Sequence, residues 1–218
     1  MNVTALIVAK APVPGLAKTR LAATLGDDTA ADIAAAALLD TLDAVSAADF
    51  AVRAVALTGD LADAARGPEI SAKLASYTVF RQRGDGFAER LLHAHLDAAG
   101  AGHPVFQIGM DTPQVTAELL ESSASLLTDP GASVLGMAED GGWWALGIPD
   151  PELARALLGV PMSTPDTGAK TRAALVDLGA HVSALPELRD VDHASDLAAV
   201  AAVCPPGSRF RAVAASLQ

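Results

Sequence analysis

A single cysteine, Cys204, stands in a chain of 218 residues. Neither an internal disulfide framework nor a cysteine-based zinc site is therefore open to it. Aromatic residues are only 4% of the sequence, so alanine must fill much of the interior and the helices should be thin and closely packed. No apolar run approaches the roughly 18 residues of a membrane span, because Asp32, Asp40 and Asp43 interrupt the richest stretch. The N-terminus lacks a basic leader region and a cleavage site, and Lys10 ends its short apolar run. Basic residues are outnumbered 15 to 26 by acidic ones. A net charge of −11 argues against nucleic acid or an anionic membrane as a partner. The expectation is a soluble, cytoplasmic chain.

Half of the residues are hydrophobic, which excludes disorder, and the length fits one domain over 1–218 with a substantial core. Residues 4–10 read as a short, buried, partly β-branched strand. An alanine-rich helix over 27–45 follows the turn residue Gly26, with Asp27 or Asp28 as its cap. Further strands are expected at 50–57, 77–82, 105–109, 133–137 and 143–148, and extended chain at 181–185 and 188–191. Helices are expected before Arg66 and at 87–99, 116–127, 151–158, 165–178 and 195–203. This alternation predicts an α/β fold, a doubly wound three-layer α/β/α domain on a mostly parallel sheet. Such sheets bind ligands beyond the carboxyl ends of their strands, where Lys10, Asp111 and Asp192 fall.

Four segments carry residues suited to chemistry. The first, from Lys10 through Pro12, Pro14 and Gly15 to Lys18, Thr19 and Arg20, holds three cations and no acid before Asp27. Its prolines stiffen the loop, Gly15 lets the backbone turn, and Arg20 offers a fork suited to phosphate oxygens. It is not a Walker loop, since Pro12 and Ala17 stand where that motif needs glycine. The second segment places Asp111 just past a buried strand and before Thr112-Pro113, as a metal ligand or as a turn former. The third sets Asp190, Asp192 and Asp196 around a helix start. Capping accounts for Asp196 and partly for Asp192, but not for Asp190. The fourth, Glu139-Asp140-Gly141-Gly142 before Trp143 and Trp144, is a hairpin signal. Adjacent tryptophans on a strand face opposite ways, so one is core and the other is free to stack on a ring. Cys204 and the five histidines read as packing or surface groups.

These segments, in this order over about residues 4–203, resemble the bacterial glycosyltransferase-like family of the nucleotide-diphospho-sugar transferase (GT-A fold) superfamily. It is related to the guanylyltransferases of cofactor biosynthesis. Met110 stands where the family carries a small polar residue, Trp143-Trp144 replaces tyrosines, and Met162-Ser163-Thr164 replaces Trp-Ser-Thr. The resemblance implies a transferase whose nucleotide is held by Lys10, Pro14, Gly15, Lys18, Thr19 and Arg20. It implies Mg²⁺ or Mn²⁺ on Asp111 and Asp192, and catalytic roles for Lys18, Arg20 and Asp111. The acceptor falls to Asp140, Gly141, Gly142, Trp143, Ser163 and Thr164. The expected reaction is nucleotidyl transfer from a nucleoside triphosphate to a phosphorylated small molecule, with glycosyl transfer from a nucleotide sugar as the alternative. A non-catalytic nucleotide-binding module is a third reading. Asp111 and Asp192 are expected to converge and, when empty, to repel one another.

Overall fold

The first strand, β1 (Thr4–Lys10), is buried along its length until Lys10 emerges at its carboxyl end. In this computed structural model, which describes residues 1–128 and 131–217, β1 lies inside a seven-stranded sheet. The last residue of the expected 1–218 domain lies outside the described residues. The other strands are β2 (Val52–Thr58), β3 (Thr78–Arg81), β4 (Val105–Ile108), β5 (Ala132–Ala138), β6 (Trp143–Ile148) and β7 (His181–Leu188). Their order is β3-β2-β1-β4-β6-β5-β7. Only β6 runs against the rest, paired antiparallel to both β4 and β5. The sheet is thus mostly parallel, as the alternating pattern requires.

Helices cover both faces. They are α1 (Thr19–Leu25), α2 (Asp27–Ala47), α3 (Gly67–Leu74), α4 (Phe87–Ala98), α5 (Ala117–Ser125), α6 (Thr167–Asp177), α7 (Asp196–Val203) and α8 (Arg209–Ser216). One core packs α2 and α5 on β1, β2 and β4, with Phe50, Tyr77, Phe106 and Trp144 as its few rings. A second core lies on the opposite face under α4 and the 3₁₀ segment Pro151–Gly159. Ala30, Ala31 and the run from Ala34 to Ala37 are buried. Alanine lets α2 approach the sheet, α1 and α8 together, as the scarcity of aromatics suggested.

Several local expectations need correction. Gly26, not Asp27 or Asp28, caps α2; it has φ 85°, and the two acids sit in the first turn without a capping bond. Their place near the positive end of the helix dipole is still favourable. The helix expected before Arg66 lies after it, because Gly67-Pro68 is a helix start and not a break. Residues 151–158 are helical as expected, in the form of a 3₁₀ segment that runs to Gly159. Helices α1 and α8 were not expected at all. Strand β7 runs on to Leu188, tolerating Pro186 because it lies at the sheet edge. Cys204 is buried just past the end of α7, and burial pushes its thiol up to about 11, in keeping with a packing role.

Candidate active site

The parallel strands end on one side of the sheet, and each unusual residue stands just past such an end. Lys10 closes β1, Asp111 follows β4, Asp140 sits in the β5–β6 hairpin, and Asp190 and Asp192 follow β7. Two hydrogen bonds, one between backbones and one from a side chain, draw the β4 and β7 ends together. The Val191 amide donates to the Asp111 carbonyl at 3.0 Å, and Gln114 Nε2 donates to the Arg189 carbonyl at 2.6 Å.

The first loop folds over these ends. Leu16 and Ala17 donate back to the Val13 carbonyl, and Gly15 takes the positive φ, 77°, that the turn needs. Lys18 then adopts φ 49°, a left-handed conformation disfavoured for a side chain of its kind. Its ammonium lies 3.0 Å from Asp111 Oδ1 and 2.7 Å from Asp192 Oδ1, with the side chain only 10% exposed. Arg20 Nη1 reaches Asp192 Oδ2 at 3.1 Å. Asp111 and Asp192 therefore converge, joined by a cation. The expectation that they repel when empty fails, since Lys18 occupies the space between them. Burial opposes the Lys18 charge, but the two carboxylates outweigh it and raise its pKa. Burial likewise pushes Asp192 up, and Lys18 and Arg20 more than reverse this, holding it below the usual carboxylate range.

Lys10, Lys18, Thr19, Arg20, Asp111 and Asp192 border one cavity of ≈ 370 Å³. Pro14 and Gly15 do not line it; they shape the loop, and Gly15 is exposed. Lys10 Nζ donates to the Leu16 carbonyl at 2.5 Å. The cations without a neighbouring acid in sequence are thus partly compensated in space by acids from strands four and seven.

A second cavity, ≈ 240 Å³, adjoins the first and shares Asp111 and Asp192 with it. The hairpin forms one wall. Asp140 Oδ1 accepts from the Gly142 amide at 2.7 Å, so this acid shapes the turn as well as facing the site. Gly141 has φ 88°, and a Cβ there would lie 1.8 Å from the Pro165 carbonyl oxygen. It supports the cavity without lining it, and glycine is required there. Ser163 and Thr164 close another side. Ser163 has φ 59°, so two of the three non-glycine residues with positive φ among the described residues, Ser163 and Lys18, border the site. Such strain gathers where surrounding structure imposes a functional geometry. The Thr164 hydroxyl is engaged by Asp166 Oδ1 at 2.5 Å. Trp144 is buried, donating to the Pro186 carbonyl at 2.9 Å and packing edge-on to Phe106. Trp143 is the partly exposed ring of the pair and borders the cavity.

Asp140, Asp190 and Asp192 bring ligand oxygens within 4.8 Å of one another. Hard oxygen donors at that spacing suit Mg²⁺ or Mn²⁺. Asp190, which capping left unexplained in the sequence, belongs to this cluster. Burial, then Asp140 and Asp192, push its pKa up to about 6. Asp192 is no cap for α7, because its oxygens go to Lys18 and Arg20. Asp196 instead reaches back to the amides of Asp192, at 3.1 Å, and His193, at 2.7 Å, holding the loop.

This geometry can be set beside known proteins. A family model described as "Uncharacterized protein conserved in bacteria (DUF2064)" matches residues 41–164. The chain belongs to that family. The match takes in Asp111 and the hairpin and leaves the first loop and Asp190–Asp192 outside it. No functionally curated protein matches the sequence. Among solved structures, a protein of Desulfovibrio desulfuricans G20, provisionally named a nucleotide-diphospho-sugar transferase, is 26% identical. Its TM-score is 0.82, over 99% of this chain and 94% of that one. A nucleotidyl transferase from Methanothermobacter is 17% identical, with TM-score 0.56 over 91% and 95% of the two chains. Rv0371C of Mycobacterium tuberculosis H37Rv, solved with manganese, is 17% identical, with TM-score 0.55 over 99% and 100%. The family member described here has the nucleotide-diphospho-sugar transferase fold. Among its described residues no helix is long and apolar enough to cross a membrane.

Proposed function

We propose that this protein is a nucleotide-using transferase, one domain over 1–218, and that its reaction is nucleotidyl transfer with release of pyrophosphate. The observation that carries the reading is the strained, buried Lys18 held between Asp111 and Asp192, with Arg20 beside it, at the carboxyl ends of the sheet. An ammonium so placed is poised to move from carboxylates to phosphate when a nucleotide and its metal arrive. The name of the Methanothermobacter relative, a nucleotidyl transferase, points the same way. In this reading Lys10, Lys18, Thr19 and Arg20 receive the triphosphate of the donor, and Pro14 and Gly15 hold the loop in shape.

An oxygen of the acceptor phosphate attacks the α-phosphorus, the bond to the bridging oxygen of the β-phosphate breaks, and pyrophosphate leaves. Lys18 and Arg20 neutralise the charge that builds on the departing oxygens, and the rigid loop holds donor and acceptor in line. Asp111 and Asp192 would hold Mg²⁺ or Mn²⁺, with Asp140 and Asp190 within reach, and the ion would supply Lewis-acid neutralisation of the phosphates. The acceptor lies against the hairpin, along Asp140, Gly142, Trp143, Ser163 and Thr164. Its phosphate falls near Arg20, which shares an adjoining recess with Ser163 and Thr164. The setting is cytoplasmic, where nucleoside triphosphates are available.

Glycosyl transfer from a nucleotide sugar is the second reading, favoured by the provisional name of the Desulfovibrio relative. Incubation with each nucleoside triphosphate or sugar nucleotide, with Mg²⁺ or Mn²⁺ and pooled acceptors, separates the two. Pyrophosphate release supports nucleotidyl transfer, nucleoside diphosphate release replaces it with glycosyl transfer, and binding without turnover overturns both.

A further inference from the structure

Of the described residues, Met110, Asp111 and Asp192 border both the first cavity and the hairpin-side cavity. In the transferase reading the donor phosphates lie in the first cavity and the acceptor in the second. The bond that is exchanged therefore forms at the boundary between them. Two of the three boundary residues are carboxylates. The third is a thioether, which neither carries charge nor moves a proton.

Met110 follows β4 after Gly109 and is only 7% exposed. Its Sδ accepts from the Lys10 amide at 3.3 Å. That contact ties the ends of β1 and β4 and occupies the side chain's one polar atom, itself a weak acceptor. The surrounding backbone is engaged as well. The Gly109 amide donates to the Trp144 carbonyl at 3.1 Å, and the Asp111 carbonyl accepts from the Val191 amide at 3.0 Å. Lys18 and Arg20 take both oxygens of Asp192, and Lys18 takes one of Asp111. The wall on either side is largely hydrocarbon, with Ala17 and Ala34 in the first cavity and Val8 and Trp143 in the second. Water is the standing competitor for any activated donor, and an ordered water needs about two to four polar partners. The stretch of boundary made by Met110 supplies none. Excluding water at such a point suppresses hydrolysis and leaves the acceptor's path open.

We propose that Met110 determines which nucleophile is used: it denies water a seat at the cavity boundary, so that the donor reacts with the acceptor and is not hydrolysed. This adds a specificity-determining residue to the transferase reading and rests on that reading for the place of the donor. In the suppressed reaction a water oxygen attacks the α-phosphorus and the bond to the bridging oxygen of the β-phosphate breaks. Pyrophosphate leaves, a proton passes to solvent, and the nucleoside monophosphate keeps the water oxygen. With a sugar nucleotide, water attacks the sugar carbon instead, giving nucleoside diphosphate and a free sugar that carries the water oxygen.

Met110→Gln and Met110→Leu decide the matter, because both nearly keep the volume and only the first adds hydrogen-bonding groups. Each protein is given each nucleoside triphosphate or sugar nucleotide with Mg²⁺ and no acceptor, in ¹⁸O-labelled water. Mass spectrometry follows labelled nucleoside monophosphate or labelled free sugar. Removal of the terminal phosphate by a contaminant leaves no labelled monophosphate and is thereby set aside. Met110→Gln should raise the hydrolysis rate about three- to tenfold, the gain from one further hydrogen bond to the attacking water. Met110→Leu should stay within about twofold of the wild type. Met110→Ser, which adds a hydroxyl and room for a water, should behave as Met110→Gln does and stands in where that variant does not fold. An equal rise in Met110→Leu, or no rise in a folded polar variant, overturns the proposal and leaves the transferase reading in place. So does a wild type that, given pooled acceptors, hydrolyses its donor as fast as it transfers it. Calorimetry of the wild type with the same donors is the separate readout: absence of donor binding sinks the transferase reading, and the role of Met110 with it.

Discussion

Asp192 stands between two clusters of acids that differ in whether a cation lies among them. Toward the first loop, Lys18 Nζ sits 2.7 Å from Asp192 and 3.0 Å from Asp111. Toward the hairpin, Asp192 meets Asp140 and Asp190, with oxygens within 4.8 Å; Lys18 reaches Asp190 only as a weaker, more distant charge. Asp190 and Asp192 are both partly buried, and burial pushes both carboxyls up. The cation decides the outcome: Asp192 ends below the usual range, and Asp190, two residues away, is pushed up to about 6. Identical side chains on one loop thus hold opposite tendencies toward protons, a contrast that neighbouring charge produces more readily than sequence position.

Removing the shared member tests the comparison most severely. Asp192→Asn should eliminate the metal-induced rise in Tm and turnover, since it strips both clusters at once. It should also cost ~1–3 kcal/mol of stability, less than the 3–5 kcal/mol typical of breaking a fully buried pair, because Asp192 remains partly solvated. Scanning fluorimetry with and without Mg²⁺ reads both effects. A metal response that survives would mean the two clusters are independent.

Truncating the cation comes next. Lys18→Ala should weaken nucleotide binding by about 1.5–3 kcal/mol, as for a charged hydrogen bond, and Arg20→Ala, at a more exposed position, by about 1 kcal/mol. Calorimetry with a nucleoside triphosphate measures this. Unchanged affinity in both would leave the Lys18 cluster a purely structural one.

A pH series sharpens the contrast without altering the Lys18 side. Asp190 has a folded pKa, about 6, above its ordinary 3.8. Its protonated form therefore favours the folded state, and that contribution is lost as pH rises from about 4 through 6. Asp192, with its pKa lowered, behaves oppositely; its contribution is present above 3.8 and is lost as pH falls through the depressed value. The metal-free protein should lose Tm between pH 4 and 6, and Asp190→Asn should flatten that slope. Mg²⁺ affinity should rise over the same interval as the proton leaves Asp190. A wild-type Tm that climbs with pH there, in step with the variant, would remove the difference between the two clusters.

The smallest effect concerns the loop that holds them together. Asp196→Ala should cost about 1 kcal/mol, the usual worth of such a carboxylate-to-amide contact at a helix start, with the metal response retained. Denaturant unfolding checks it; an abolished metal response would place Asp196 among the ligands.

The strands and the longer helices were legible because their periods are strong. Residues 4–10, 87–99 and 143–148 carry unbroken patterns, and the structure sets them within a residue of those limits. Helices α1 and α8 were not legible. They are short and depend on packing against α2, where Asp40 accepts from the backbone amides of Arg209 and Phe210 at 2.9 and 2.8 Å. That contact spans most of the chain. Among site residues, the first loop, Asp111, Asp140 and Asp192 stood out by residue type and by falling at strand ends. Gln107 and Thr112, which line the second cavity, did not, although one signal was available: glutamine within the otherwise apolar Val105–Ile108 strand.

By itself the sequence determined the alternation of strand and helix, the stiff cationic loop, the hairpin glycines and the opposite faces of Trp143 and Trp144. These follow from local rules of backbone freedom and side-chain period, which act over a few residues. Only the tertiary structure decided that Lys18 lies between Asp111 and Asp192 and that Asp190 gathers with Asp140. Those facts depend on which strand ends are neighbours. A sheet ordered 3-2-1-4-6-5-7 brings residues far apart in the chain within contact, where charge and desolvation act at a few ångströms.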